Sequence, residues 1–141
     1  MRDRPGTILI VDDEFGDRDW MASVLAAEGF NVLVAASCPE ALRKAMISSE
    51  PIRLLISDLA LPGHDGIELA RSLAKLTKNP PGVLFVSGRT GSKILPYHGL
   101  STKDAHFLVK PFSRSELLNR VRHILFADDA TRFETKLLRA S

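Results

Sequence analysis

Four short apolar runs in this sequence stop at residues that could do chemistry together. The run at 7–11 is followed by Asp12-Asp13-Glu14, and the run at 54–56 by Ser57-Asp58. The run at 83–86 is followed by Ser87-Gly88, and the run at 107–109 by Lys110-Pro111. If these ends meet, three carboxylates, a hydroxyl and an ammonium share one cleft. Carboxylates packed together repel, and one must take up a proton unless a cation intervenes. A hard divalent cation resolves the repulsion: Mg2+ prefers oxygen ligands and keeps several waters, which leaves room for phosphate oxygens. Lys110 adds a compact point charge suited to a phosphoryl oxygen. The cleft suits a carboxylate meeting a phosphoryl group, a covalent strategy that rests on positioning and electrostatics.

Each piece alone has an ordinary structural reading. An Asp-Asp pair after a strand is usually a loop start or a helix cap, and a lone Asp after an apolar run is usually a cap. Ser87 alone is a turn hydroxyl, and Lys-Pro is common in loops. The weight lies in order and spacing taken together, so the elements that position these residues matter. With residues 32–34 as a fifth member, the runs are β-branched or continuously apolar, as expected for parallel strands buried on both faces. Helical patterns lie between them. Residues 16–28 carry Trp20, Met21, Val24, Leu25 and Ala27 at helical spacing. Ser37 with Glu40 and Ser113 with Glu116 form capping-box patterns, and Asp65 can cap a helix carrying Ile67, Ala70 and Leu73. Alternating strands and helices with short links predict an α/β three-layer sandwich around a five-stranded parallel sheet. Sites in such sheets form at the carboxyl ends of the strands, where the four polar groups fall.

Composition narrows the classes. The chain has 141 residues, which fits one domain, with 45% apolar and 26% charged residues, an ordinary globular balance. The 19 Lys and Arg against 17 Asp and Glu leave a formal charge of +2, too small a field to predict direct nucleic-acid binding. Cys38 is the single cysteine, so no internal disulfide can form, and a reducing, cytoplasmic setting is expected. The charged start, Met1-Arg2-Asp3-Arg4-Pro5, lacks the apolar stretch of a signal peptide, and no run is long enough to span a membrane.

With these stretches in view, the sequence resembles the receiver domain of bacterial response regulators. The resemblance rests on residues 8–14 (ILIVDDE), 55–66 (LISDLALPGHDG), 85–88 (FVSG) and 107–112 (FLVKPF), and covers about residues 7–126. It implies a flavodoxin-like receiver fold, with residues 1–126 as the domain and 127–141 as a C-terminal tail or helix extension. It implies Asp58 as phosphoacceptor and Asp13, Asp58 and the Ala60 backbone carbonyl as ligands of Mg2+, with Asp12 acting through water and Mn2+ as an alternative ion. It also implies that Lys110 and Ser87 contact the phosphoryl group, that Phe107 changes rotamer with Ser87, and that the Lys110–Pro111 peptide is cis. The implied partners are a sensor histidine kinase or histidine phosphotransfer protein and an output protein that the sequence does not identify. A homodimer through the last helix is a further option. Pro62-Gly63 and Asp65-Gly66 read as structural, the glycines supplying otherwise strained backbone angles.

Two departures from the family pattern stand out. Residues 88–106 hold three glycines and a central proline where the family shows an amphipathic fourth helix. Each interior Gly costs about 1 kcal/mol and Pro about 3 kcal/mol relative to Ala, so a short, broken or mobile fourth helix is expected. By the resemblance, Ala60 and Arg89, each two residues beyond a site residue, would flank the path of the hydrolytic water and tune phosphoryl lifetime. The histidines His64, His98, His106 and His123 read as surface or loop residues. Arg114, Arg120 and Arg122 read as a solvated face, with an acidic partner or dimer salt bridge as the sharper option.

The leading expectation is therefore a stand-alone phosphoacceptor that signals by protein contact and is not an enzyme in the turnover sense. The alternatives are a receiver fragment of a larger regulator and a Mg2+-dependent phosphohydrolase. The phosphohydrolase would need an Asp-x-Asp spacing after the first strand, where this chain has adjacent aspartates. A flavodoxin-like nucleotide binder ranks last, because Asp12-Asp13-Glu14 would repel phosphate there.

Overall fold

The computed structural model describes residues 6–88 and 93–126. Five strands and five helices alternate: β1 (Thr7–Val11), α1 (Phe15–Ala27), β2 (Asn31–Ala35), α2 (Cys38–Ile47), β3 (Ile52–Asp58), α3 (Gly66–Leu76), β4 (Gly82–Ser87), α4 (Ile94–Tyr97), β5 (His106–Val109) and α5 (Arg114–Phe126). The strands form one sheet in the order β2-β1-β3-β4-β5, and every neighbouring pair is parallel. The order reverses between β1 and β3, which opens a crevice beyond their carboxyl ends.

Strand alternation divides the core into two halves. Leu9 and Val11 of β1, Leu55 of β3, and Val83 and Phe85 of β4 pack with Ala41, Ile67, Ala70, Leu73 and Leu95 from α2, α3 and α4. Ile8, Ile10, Leu54, Ile56, Leu84 and Val86 point the other way and pack with Met21, Leu25, Leu117, Val121 and Ile124 from α1 and α5. A period of two in a strand requires this split. Burial on both faces is why these strands are apolar throughout and not alternately polar.

The expected caps form. Ser37 Oγ accepts from the Glu40 amide at 3.3 Å. Ser113 and Glu116 satisfy each other's amides at 3.1 and 2.7 Å, and Asp65 and Glu68 do so at 2.9 Å each. Such reciprocal caps fill otherwise orphaned N–H groups at a helix start. The fourth helix is four residues long, as Pro96 and the glycines of residues 88–106 predict. Residues 127–141, read above as a tail or helix extension, lie outside the described residues. Among the described residues, no helix is long and apolar enough to cross a membrane.

One reading of the sequence is corrected, that of His106, and two gain detail. His106 is buried within β5, with its ring 5.8 Å from that of His123, so it is a core residue. Burial, with the nearby charges of His123 and Arg120, lowers its proton affinity below that of ordinary imidazole. His98 is also mostly buried, bonded through Nε2 to Asp65 Oδ2 at 2.8 Å. The arginines of α5 are engaged within the chain. Arg114 and Arg122 bond the two oxygens of Glu28 at 2.7 and 2.6 Å, and Arg120 donates to the Phe107 carbonyl at 3.0 Å.

Candidate functional site

The carboxyl ends of β1, β3, β4 and β5 bring the sequence candidates together. β1 ends at Val11, and the chain turns at once: the Glu14 amide donates to Asp12 Oδ1 at 2.9 Å, and Arg18 donates to the Asp12 carbonyl at 2.8 Å. The turn points one carboxylate inward and leaves the next outside. Asp12 is fully buried, whereas Asp13 is exposed. Asp58 is the last residue of β3 and is 8% exposed. One of its oxygens, Oδ1, accepts from the Ala60 amide at 2.9 Å, which orients the carboxylate.

The loop after Asp58 is held close to it. The Gly66 amide donates to the Leu59 carbonyl at 2.8 Å. A Cβ on Gly66 would lie 2.5 Å from the Asp58 carbonyl oxygen, so glycine is required there by close approach. Its neighbour Gly63 has φ of +76°, where glycine is favoured for its backbone angle. The expectation of strained angles therefore holds at Gly63, while Gly66 owes its identity to packing.

Lys110 closes the cleft from β5. Its amide donates to the Ser87 carbonyl at 2.8 Å, and the peptide to Pro111 is cis. Its Nζ donates to Asp12 Oδ2 at 2.8 Å, to Asp17 Oδ2 at 2.9 Å and to Asp58 Oδ2 at 2.9 Å. Burial opposes the lysine charge, but these bonds together outweigh it and hold the ammonium well above the ordinary lysine range. Burial also acts on Asp12, raising its proton affinity against the pull of Lys110 and the Glu14 amide.

Oxygens of Asp12, Asp13 and Asp58 lie within 4.8 Å of one another. The donor set is all carboxylate, with one member facing water, which fits a hard divalent cation that keeps part of its hydration shell. Ser87 is buried at the end of β4, the strand between those of Asp58 and Lys110. Phe107 pairs with Phe85 across β4 and β5 and is half-buried against the α3 and α4 half of the core. Ala60 is exposed just beyond Asp58, and Arg89 lies outside the described residues.

Similarity to known proteins gives the family. The family model for the response regulator receiver domain matches residues 8–122. The chain belongs to this family. Among curated proteins, the receiver is similar to the aerobic respiration control protein ArcA of Escherichia coli strain K12. The two are 36% identical over 120 residues, 84% of this chain and 48% of that protein. This receiver spans about half the length of the curated relatives it matches. Among solved structures, the receiver domain of NtrX from Brucella abortus superimposes with a TM-score of 0.71 at 27% identity, covering 86% of this chain and 99% of that one. A receiver domain protein from Clostridium thermocellum gives 0.72 at 24% identity, covering 95% and 99%, and supports the fold.

Asp17 went unnoticed in the sequence. An acidic residue in the first turn of a helix is ordinary, because it complements the helix dipole. Its distance of five positions from Asp12 was the available signal, since one turn of helix returns the chain to the strand end. The pairing of His98 with Asp65 was missed as well, because 33 residues separate the two.

Proposed function

We propose that this receiver is a phosphoacceptor: with Mg2+ present, Asp58 takes a phosphoryl group from a sensor histidine kinase or a histidine phosphotransfer protein. The single observation that carries this reading is Lys110 Nζ, 2.9 Å from Asp58 at the end of β3, beside a carboxylate set that fits a divalent cation. An Asp58 oxygen attacks phosphorus in line. The O–P bond forms as the P–N bond to the phosphohistidine breaks, and the imidazole departs with the electron pair. Asp13, Asp58 and the Ala60 carbonyl would hold the ion directly and Asp12 through water. Bound there, Mg2+ supplies positive charge against the phosphoryl oxygens. Lys110 donates an N–H to a phosphoryl oxygen, and the Ser87 hydroxyl donates to another.

Phosphorylation adds charge and acceptor oxygens at the end of β3. Ser87 and Phe107, on neighbouring strands, then shift together, and the population moves toward a state with different protein contacts. The role is regulatory, in the cytoplasm, with residues 1–126 as the working domain. A homodimer through α5 is an option in which Arg114 and Arg122, each bonded once to Glu28, keep further N–H donors. The length of the relatives favours one second reading, in which this receiver belongs to a longer regulator that carries an effector.

Incubation with Mg2+ and acetyl phosphate tests the chemistry. Intact mass should show a phosphoryl-sized gain in the parent and none in Asp58→Asn. A parent that gains nothing, even at short times, would overturn the proposal.

A further inference from the structure

Lys110 is held by one more carboxylate than the phosphoryl chemistry needs. An ammonium has three N–H donors, and Asp12, Asp17 and Asp58 occupy all three at 2.8, 2.9 and 2.9 Å. A phosphoryl oxygen on Asp58 can reach Lys110 only if one bond is given up. Asp12 and Asp58 belong to the trio of oxygens that fits a cation, and Asp17 does not. Asp12 is fully buried, so bulk water cannot hydrate its carboxylate if it lets go. The Asp17 side chain is 47% exposed, against 18% for Lys110, so its carboxylate can be hydrated once it lets go. It faces an open cleft of about 370 Å3 walled by Trp20, Met21, Pro111 and Phe112, which gives it room to move.

We infer that Asp17 is a positioning residue that holds the Lys110 ammonium toward α1 and competes with the incoming phosphoryl group for it. Asp17 is thus a brake on phosphoryl uptake. The inference rests on the phosphoacceptor reading of Asp58. Because the pair sits at the mouth of the cleft, the brake is mild: an ion pair this exposed carries a factor of about two to five. Asp17→Asn keeps the shape and removes the charge. Asp17→Glu keeps the charge on a longer, flexible arm and should still reach Lys110. Asp19→Asn removes an equal charge two residues along α1, at an exposed position outside the set around Lys110.

The test uses the full chain with Mg2+. Initial phosphoryl gain is followed by intact mass with acetyl phosphate and, separately, with phosphoramidate. The Lys110 ammonium is followed by NMR in protein labelled with 15N-lysine, before any donor is added. Asp17→Asn should gain phosphoryl about two- to fivefold faster than the parent with both donors, the range such an ion pair carries. Its Lys110 signal should move, while Asp17→Glu and Asp19→Asn stay near the parent in both readouts. Asp17→Ala, which also removes the acceptor, serves if Asp17→Asn does not fold. A parent that is phosphorylated while Asp17→Asn is no faster would overturn the inference alone. Equal acceleration in Asp19→Asn would overturn it in favour of general charge repulsion. A parent that gains no phosphoryl from either donor would overturn the phosphoacceptor reading and this inference with it.

Discussion

Asp12 is a carboxylate with no solvent exposure, and its proton affinity is raised chiefly by that burial. The folded state therefore binds the Asp12 proton more tightly than the unfolded chain does. The stability this contributes is fully present below the ordinary aspartate value of 3.8 and is lost as pH rises through the higher folded value. In chelator, Asp12→Asn should lose less stability than the parent between about pH 4 and pH 7, and should melt higher at pH 7. Thermal melts across that range check this, and a parallel pH dependence in the two proteins would contradict it. Asp12, Asp58 and Lys110 were legible because each breaks a continuous apolar run. Asp17 was not, because on its helix it is one polar residue among several.

The strands carried most of what the sequence revealed. Short continuous apolar runs that alternate with helical patterns fit strands covered on both sides, and caps such as Asp65 with Glu68 mark where helices begin. The stretch after β4 has neither signal, which foretold a short α4 but not what fixes it. The structure supplies that reason: His98, just past α4, bonds the N-cap of α3 through Asp65, and its Nδ1 lies 3.3 Å from Arg71 Nη1. The amides of His98, Gly99 and Leu100 turn back onto carbonyls of Leu95 and Pro96. His98→Ala should speed hydrogen exchange at those three amides by about two- to tenfold, the worth of one such bond. Unchanged exchange there would mean that apolar packing of Leu95 and Leu100 alone orders the segment.

Across the whole molecule, the proposed cation site would link folding to binding. Only the folded sheet brings Asp12, Asp13 and Asp58 together, since 46 positions separate Asp12 from Asp58. A ligand that binds only the folded state stabilises it, by about 2.7 kcal/mol at a hundred times its Kd. Mg2+ should therefore raise the melting temperature of the parent. Asp13→Asn should lose most of that rise at little cost to the fold itself, because Asp13 is exposed. Equal rises in the two proteins would remove Asp13 from the ligand set. The long-range ties that close the molecule, such as Arg114 and Arg122 of α5 on Glu28 after α1, were not legible: they span 86 and 94 positions, and charge alone does not name its partner.

Asp58 as the bearer of the phosphoryl group is read most directly by borohydride reduction after acetyl phosphate treatment, followed by peptide mapping. Reduction converts an aspartyl phosphate to homoserine and leaves free aspartates untouched. Homoserine at position 58 alone is the expected result. Homoserine at Asp12 or Asp13, or a phosphoryl group that survives reduction as an ester on Ser87, would contradict it.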